Sequence, residues 1–255
     1  NPKLVIVRHE DYIPSEYLPT FSAQAIELNL HRIKELSEHF VYFNDDMFLT
    51  SPMKKKDFFH NGLPCDAPIE SAVMHDDYAN PWSHILINDV AVINMHYDKH
   101  EVIRRYRRKW FSWKYRSGLL RNLLMYPYGK FASFKYMHLP SPYLKSTYGE
   151  VWKTEPKILD EVCKNRFRSV FDVNQYLMRY WQLVNGRFEP AYPLIGRLFY
   201  SADDHTQALQ SIRSQQYKMI CLNDYHATEE TFQKNSREIQ EAFAEILPKK
   251  SGFEK

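Results

Sequence analysis

The sequence predicts an α/β fold: a parallel sheet with flanking helices and a large helical insertion. Three observations carry this. Residues 3–7 (KLVIV), 40–43 (FVYF) and 217–222 (YKMICL) are short runs rich in β-branched or aromatic residues, bounded by polar residues, and read as strands. Amphipathic segments of helical period lie between and after them. Two of the runs end in an Asn-Asp pair, the polar tip expected at the C-terminal end of a strand in an open α/β sheet.

The elements follow in order. Residues 3–7 form a buried strand. After a loop with Pro14 and Pro19, Ser22 caps a helix over residues 22–36, with Ile26, Leu30, Ile33 and Leu36 on one face. Residues 40–43 form the next strand, and strand–helix–strand is the unit of a parallel sheet. Asn61-Gly62 and Pro64 mark a turn. Residues 67–88 are mixed, with helix favoured. Residues 99–113 read as a basic helix and 118–125 as a short apolar one. Residues 141–164 suit one or two helices, broken near Pro156. Residues 172–184 form a helix, with Asp172 near its start and Gly186 just past its end. After the late strand at 217–222, Thr228 caps a final helix to residue 247. Glu229 and Glu230 in its first turn suit the helix dipole.

Composition bounds the rest. The 255 residues suffice for a buried core, and 44% apolar with 25% charged residues is an ordinary globular balance. Aromatics reach 15%, which fits a tyrosine-rich core or a sugar-handling surface. A net charge of +3 excludes a polycation, yet residues 104–116 (RRYRRKWFSWKYR) carry seven positive and no negative side chains. Cys65, Cys163 and Cys221 are odd in number and lack CxxC spacing. That argues against a disulfide framework or a zinc site and predicts reduced thiols in the cytoplasm. No apolar run reaches membrane-spanning length, and neither a signal peptide nor a GxGxxG or Walker loop is visible.

Several residues could carry chemistry. Asp45 and Asp46, after Asn44, could hold a divalent cation that neutralises a diphosphate; an Asx turn is the plain alternative. Asn223-Asp224 repeats the arrangement, and two strand ends could bring the acids to one sheet edge. His138, before two prolines in HLPSP, could serve as general base or phosphate ligand, or be structural. Lys145 lies seven residues further on and could point to the same site. Arg166 and Arg168 offer guanidinium forks for phosphate oxygens. Glu27, in mid-helix, reads as solvated. The basic aromatic run at 104–116 leaves three readings: a solvated helix with inward-facing aromatics, a surface for an anionic glycan or lipid, or a nucleic-acid site.

Several segments together resemble one family. Residues 19–49 (PTFSAQAIELNLHRIKELSEHFVYFNDDMFL) are similar to the second signature region of the Stealth proteins. FFHNGLPCDAP resembles the segment that follows, and 138–156 (HLPSPYLKSTYGEVWKTEP) the third region. NRFRSVFDVNQYLMRYWQL continues in the same manner. The final stretch, ICLNDYHATEETFQKNSREIQEAFAEILPKKSGFE, resembles the fourth region down to Ser251, Phe253 and Glu254. These proteins are bacterial capsular and exopolysaccharide phosphotransferases, related to the α/β subunits of the lysosomal-enzyme N-acetylglucosamine-1-phosphotransferase. The family's first region has no counterpart here, so the resemblance implies sequence before Asn1 and a sheet lacking its first strand.

The resemblance implies a single Rossmann-like catalytic domain over 1–255, with residues 99–182 as a helical insertion. It implies transfer of a hexose 1-phosphate from a nucleotide diphosphate sugar, such as UDP-N-acetylglucosamine, to a polysaccharide hydroxyl. It places Glu27, Asp46, His138, Arg168 and Asp224 at the active site. Asn44, Lys145, Arg166 and Asn223 are then expected to bind substrate, and Asp45, Asp46 and Asp224 to hold Mg²⁺ or Mn²⁺. The expected setting is the cytoplasm, with a membrane or capsule-assembly contact through 104–116 and no nucleic-acid partner. Two other classes stay open: a metal-dependent glycosyltransferase, and a non-catalytic binder of anionic glycans or membranes.

Overall fold

The computed structural model describes residues 3–74, 78–192, 195–200, 204–224 and 228–253. Glu254, and residues 75–77 of the mixed segment, lie outside the described residues. In chain order the elements are α1 (Ala23–Leu28), β1 (His39–Tyr42), β2 (Met47–Leu49), α2 (Lys55–Phe58), β3 (Phe59–His60) and β4 (Leu63–Asp66). Next come α3 (Pro81–His96), α4 (Lys99–Arg105), α5 (Arg107–Trp110), α6 (Ser117–Met125), β5 (Ser141–Leu144), α7 (Lys145–Thr154), α8 (Pro156–Lys164) and α9 (Gln175–Val184). The chain closes with β6 (Glu189–Pro190), β7 (Gly196–Tyr200), α10 (His205–Ser214), β8 (Met219–Asn223) and α11 (Glu229–Ile246). The class is α/β, as expected.

The sheets are small and mixed, not one parallel sheet. β7 and β8 run parallel around α10, and β2 lies antiparallel on the far side of β8. β1 pairs antiparallel with β5; β4 pairs antiparallel with β3 and parallel with β6. Residues 3–7 are not a strand: Leu4, Val5 and Ile6 are exposed and pair with nothing in the sheets. The first expected strand–helix–strand unit therefore does not form. The helix expected over 22–36 stops at Leu28, because the Asn29 amide turns back onto the Ala25 carbonyl at 2.8 Å and the Cys163 thiol at 3.3 Å. The chain then makes a single 3₁₀ turn and extends at Ile33.

Helix α9 is the centre of the molecule. All ten of its residues are buried, in an apolar core shared with α1, α3, α4, α7 and α8. Asn174 caps it by accepting from the Tyr176 N–H at 2.9 Å. Gly186 follows with φ +66, and a β-carbon there would lie 2.4 Å from the Tyr106 ring, so a side chain is excluded twice over. The polar residues of α9 tie strands to it. Gln175 accepts from the Tyr143 hydroxyl at 2.6 Å, Gln182 accepts from the Leu144 N–H at 2.8 Å, and Arg179 forks onto Asp66 with two 2.8 Å bonds. A smaller core holds α10 and α11 against β7 and β8. Thr228 caps α11 as the sequence predicts. Asn61 and Gly62, with φ of +52 and +74, make the two-residue turn that joins β3 to β4. No helix among the described residues is long and apolar enough to cross a membrane.

Candidate active site

The site forms where the antiparallel pairing of β2 and β8 brings two distant segments together. Met47 stands opposite Cys221, so Asp46, just before β2, lies beside the end of β8, and the Leu222 N–H donates to the Asp46 carbonyl at 2.9 Å. The two Asn-Asp segments thus reach one sheet edge. Asp45, Asp46 and Asp224 all line a cavity of about 800 Å³ between these strands and α11. Asn223 lies within β8 opposite Tyr200, not beyond the strand end. Asn44 belongs to the turn before β2: its carbonyl accepts from the Met47 N–H at 3.3 Å, and its own N–H meets the Met47 sulfur at 3.3 Å.

Asp46 and His138, 92 residues apart, form a hydrogen bond of 3.0 Å between Oδ2 and Nε2. The Cys221 thiol donates to the same Oδ2 at 3.1 Å. Burial pushes the Asp46 carboxyl up, but the hydrogen bonds from His138 and Cys221 outweigh it and hold the carboxyl below its ordinary value. Burial, and then Asp46 itself, push the Cys221 thiol well up, so it stays protonated and donates. An ionised Asp46 accepts, so the hydrogen of the His138 contact sits on Nε2. Asp46 Oδ1 and His138 Nδ1 are buried with no protein partner.

His138 has φ +41, in the left-handed region that a side chain enters at a cost of roughly 1–3 kcal/mol. The prolines of HLPSP do fix a non-helical backbone, and the strain aims the imidazole at Asp46. The rings of Tyr136 and Trp82 pack around it at 5.3 and 6.2 Å. His138 also lines a second cavity of about 440 Å³, together with Arg179, Lys56, Lys218 and Tyr192. The Asp46–His138 pair therefore stands between two cavities, one on each residue's side.

Glu27 is buried, at 6% exposed, and not solvated as its helix position suggests. It accepts from the Tyr42 hydroxyl at 3.0 Å and from the Gln175 N–H at 3.5 Å. Burial raises its carboxyl to about 7, although Tyr42, Gln175, the Arg168 guanidinium and His138 each pull it down. Arg168 and His138 are thus its electrostatic neighbours. The sign of the linkage follows. The folded state holds the Glu27 proton more tightly than the unfolded chain, so this contribution is complete below about pH 4.5 and lost as pH rises through about 7. Urea unfolding at pH 5 and pH 8 is expected to show a loss of up to about 3 kcal/mol that Glu27→Gln removes. An identical pH slope in the variant would refute the assignment.

Lys145 does not point at this site. Its ammonium donates to the carbonyls of Ile33, Lys34 and Leu36 at 3.0, 3.5 and 3.1 Å, tying the loop after α1 to the start of α7. This corrects its expected role in substrate binding. Lys145→Ala is expected to cost about 2 kcal/mol of stability and to leave donor KM unchanged; a raised KM at unchanged melting temperature would restore the phosphate-binding role. Arg166 is exposed, and its carbonyl accepts from the Phe21 N–H at 2.8 Å. Arg168 is exposed on the same loop.

Three groups are absent from the site residues expected from the sequence. Cys221 was legible only through strand alternation, which puts Met219, Cys221 and Asn223 on one side of β8. Asp89 is fully buried, raised well above its ordinary range by burial, and accepts from the Asn174 N–H at 3.0 Å at the start of α9. The Arg179–Asp66 fork lines the 440 Å³ cavity.

Among the described residues, one group of three metal-ligating side chains converges: Asp46, His138 and Cys221, with ligand atoms within 4.8 Å of one another. A protonated soft thiol is a poor ligand for Mg²⁺, which demands oxygen. Asp45 and Asp224 share the cavity with Asp46 but join no such convergent group, so the expected all-aspartate trio is not assembled as three mutually close ligands. What fits a hard cation is narrower: an ionised Asp46 with one oxygen free of protein partners, on a cavity lined by two further carboxylates.

A strained histidine on an ionised aspartate stands between two cavities, and the comparisons with known proteins give the class: a phosphotransferase. The family profile described as "Stealth protein CR2, conserved region 2" matches residues 1–65. Over 255 residues the chain is 37% identical to the capsular polysaccharide phosphotransferase WcwK of Streptococcus pneumoniae, covering 100% of this chain and 75% of that protein. It is 35% identical over 256 residues to the exopolysaccharide phosphotransferase cps2G of Lactiplantibacillus plantarum, with coverage of 100% and 75%. It is 38% identical over 254 residues to the receptor polysaccharide phosphotransferase WefC of Streptococcus gordonii, with coverage of 99% and 75%. The chain belongs to the Stealth family.

Proposed function

We propose that this protein transfers a hexose 1-phosphate, with N-acetylglucosamine 1-phosphate from UDP-N-acetylglucosamine the expected case, to a hydroxyl of a capsular or exopolysaccharide acceptor. The observation that carries the reading is the Asp46–His138 pair standing between two cavities. A transferase needs two bound molecules to meet at one set of charged groups. The names of the relatives supply the reaction class.

In this reading the acceptor oxygen attacks the phosphorus that carries the sugar. A new P–O bond forms, the bond to the bridging diphosphate oxygen breaks, and nucleoside monophosphate leaves. The anomeric C–O bond survives. Such transfer depends mainly on positioning and charge neutralisation. Arg168 grips phosphate oxygens, and its charge already reaches Glu27. Glu27, with its carboxyl near 7, takes the acceptor proton, since a base works best when its pKa lies near the working pH. His138 donates from Nε2 to Asp46 and so positions that carboxylate. Mg²⁺ or Mn²⁺ would be held by Asp46, with Asp224 or Asp45 helping. It would neutralise diphosphate charge, since such ions use one or two carboxylates together with phosphates and water. A nucleotide-sugar donor places the reaction in the cytoplasm, in keeping with three free thiols.

Chromatography of the released nucleotide tests the reading. Nucleoside monophosphate in step with acceptor consumption is expected. Nucleoside diphosphate would make the protein a glycosyltransferase.

A further inference from the structure

Helix α6 is turned inside out. Leu120, Leu123 and Leu124, at helical spacing, are 60%, 53% and 65% exposed. Gly118 and Asn122 face the interior instead. The Asn122 amide donates to the carbonyls of Pro68 and Trp110, both at 3.0 Å, and accepts from the Glu70 N–H at 2.9 Å. A β-carbon on Gly118 would stand 2.5 Å from Ile69. The helix is locked in this orientation and cannot roll its leucines inward. A water-exposed helix shows the opposite arrangement. Trp113, 80% exposed, precedes the ridge, and Tyr128, 63% exposed, follows it.

The ridge sits in a cationic surround. Residues 102–149 contain eleven Lys or Arg and no Asp or Glu, although the whole chain carries only +3. Helices α4 and α5 flank the end of α6: His100 Nε2 lies 2.9 Å from the Tyr126 carbonyl, and the Phe111 ring lies 6.1 Å from that of Tyr126. Arg104 follows His100 by four residues on α4 and shares its side, and Arg107 opens α5; both are exposed. Arg121 and Lys130 are exposed on and just after α6. Not all of the charge is available. Lys109 donates to the carbonyls of Gly186 and Phe188, Lys114 to that of Pro190 and Lys130 to that of Asn94, and Arg104 lies 3.8 Å from the exposed Glu101.

We propose that α6 and its basic flank dock this protein on an anionic lipid bilayer. The leucine ridge enters the boundary between headgroups and acyl chains, Trp113 and Tyr128 lie at headgroup depth, and Arg104, Arg107 and Arg121 meet the lipid phosphates. Chemistry selects this occupant. Leucines offer no face for stacking bases, so nucleic acid would leave the ridge in water. A second copy would set one cationic surface against another, without an acidic complement. A bilayer supplies both the apolar layer and the negative charge.

The test uses the full-length protein with vesicles of phosphatidylcholine alone or with 30% phosphatidylglycerol, so that charge-dependent docking is read directly. Co-sedimentation is expected with the anionic vesicles only, weakening as salt rises. The triple variant Leu120→Ser, Leu123→Ser, Leu124→Ser should bind about tenfold or more weakly, with unchanged melting temperature and unchanged turnover on water-soluble acceptors. Brominated lipid should quench Trp113 fluorescence, and Trp113→Phe should remove that quenching; this arm stands even if the triple variant folds poorly. Absence of binding to anionic vesicles overturns the proposal. So does binding that the leucine changes leave intact without Trp113 quenching, which marks adsorption by charge alone. Concentration-dependent dimerisation abolished by the leucine changes would assign the ridge to a second copy instead.

Discussion

Asp46→Asn is expected to lower kcat/KM by about 10³ while leaving the melting temperature nearly unchanged. The carboxylate of Asp46 does three things at once. It accepts from His138 at 3.0 Å and from Cys221 at 3.1 Å, and it keeps a second oxygen buried and unpartnered. An amide of the same shape keeps one oxygen that can accept from His138, but it carries no charge and puts an NH₂, a donor, where the second, unpartnered oxygen stood. Steady-state kinetics with circular dichroism separates this from unfolding. A loss below about tenfold, with fold intact, would remove Asp46 from the reaction.

Lys99→Met is expected to cost about 3 kcal/mol of stability near neutral pH, as breaking a buried pair does. Lys99 and Glu70 have no exposed side-chain surface and meet at 2.8 Å. The ammonium also donates to the Met125 carbonyl at 2.6 Å, where α6 ends. Burial already raises the Glu70 carboxyl, with Lys99 opposing. Removing Lys99 takes away the largest influence opposing burial and leaves only the Ala132 N–H and His100 against it, so the folded-state pKa of Glu70 climbs further above the unfolded value. The stability tied to its proton is then complete below about pH 4.5 and lost as pH rises. The gap between wild type and variant should therefore narrow on acidification. Urea titrations at pH 4.5 and 7.5 check it, and a gap that widens toward acid would contradict the account.

Local features were legible in the sequence where a single residue type enforces a backbone shape. Asn61-Gly62, the Thr228 cap and Gly186 behind α9 each appear where the sequence puts them. Strand partners were not legible. Residues 40–43 were read as a strand, but their partner is β5, and residues 141–144 (SPYL) look like the start of a helix. The apolar run at residues 3–7 has strand composition, yet pairing decides whether such a run becomes a strand, and it pairs with nothing in the described sheets.

The site divides along the same line. That two Asn-Asp segments meet at one sheet edge follows from strand ends, and the reading of 44–46 and 223–224 anticipated it. That His138 meets Asp46 depends on tertiary packing across 92 residues, with no period to reveal it. Glu27 looked solvated because burial on α1 is set by Tyr42 and α9, not by its own helix. Lys145 looked free to reach a phosphate, but its ammonium is held by the carbonyls of Ile33, Lys34 and Leu36.

The most direct test of the central claim is phosphorus NMR of the polysaccharide product, made by the full-length protein with Mg²⁺, a panel of UDP-sugars and acceptor oligosaccharides. A new phosphodiester resonance with wild type, and none with equal Asp46→Asn, is predicted. A wild-type product without phosphorus, or a phosphodiester formed equally well by the variant, would contradict transfer of a sugar phosphate at Asp46 and His138.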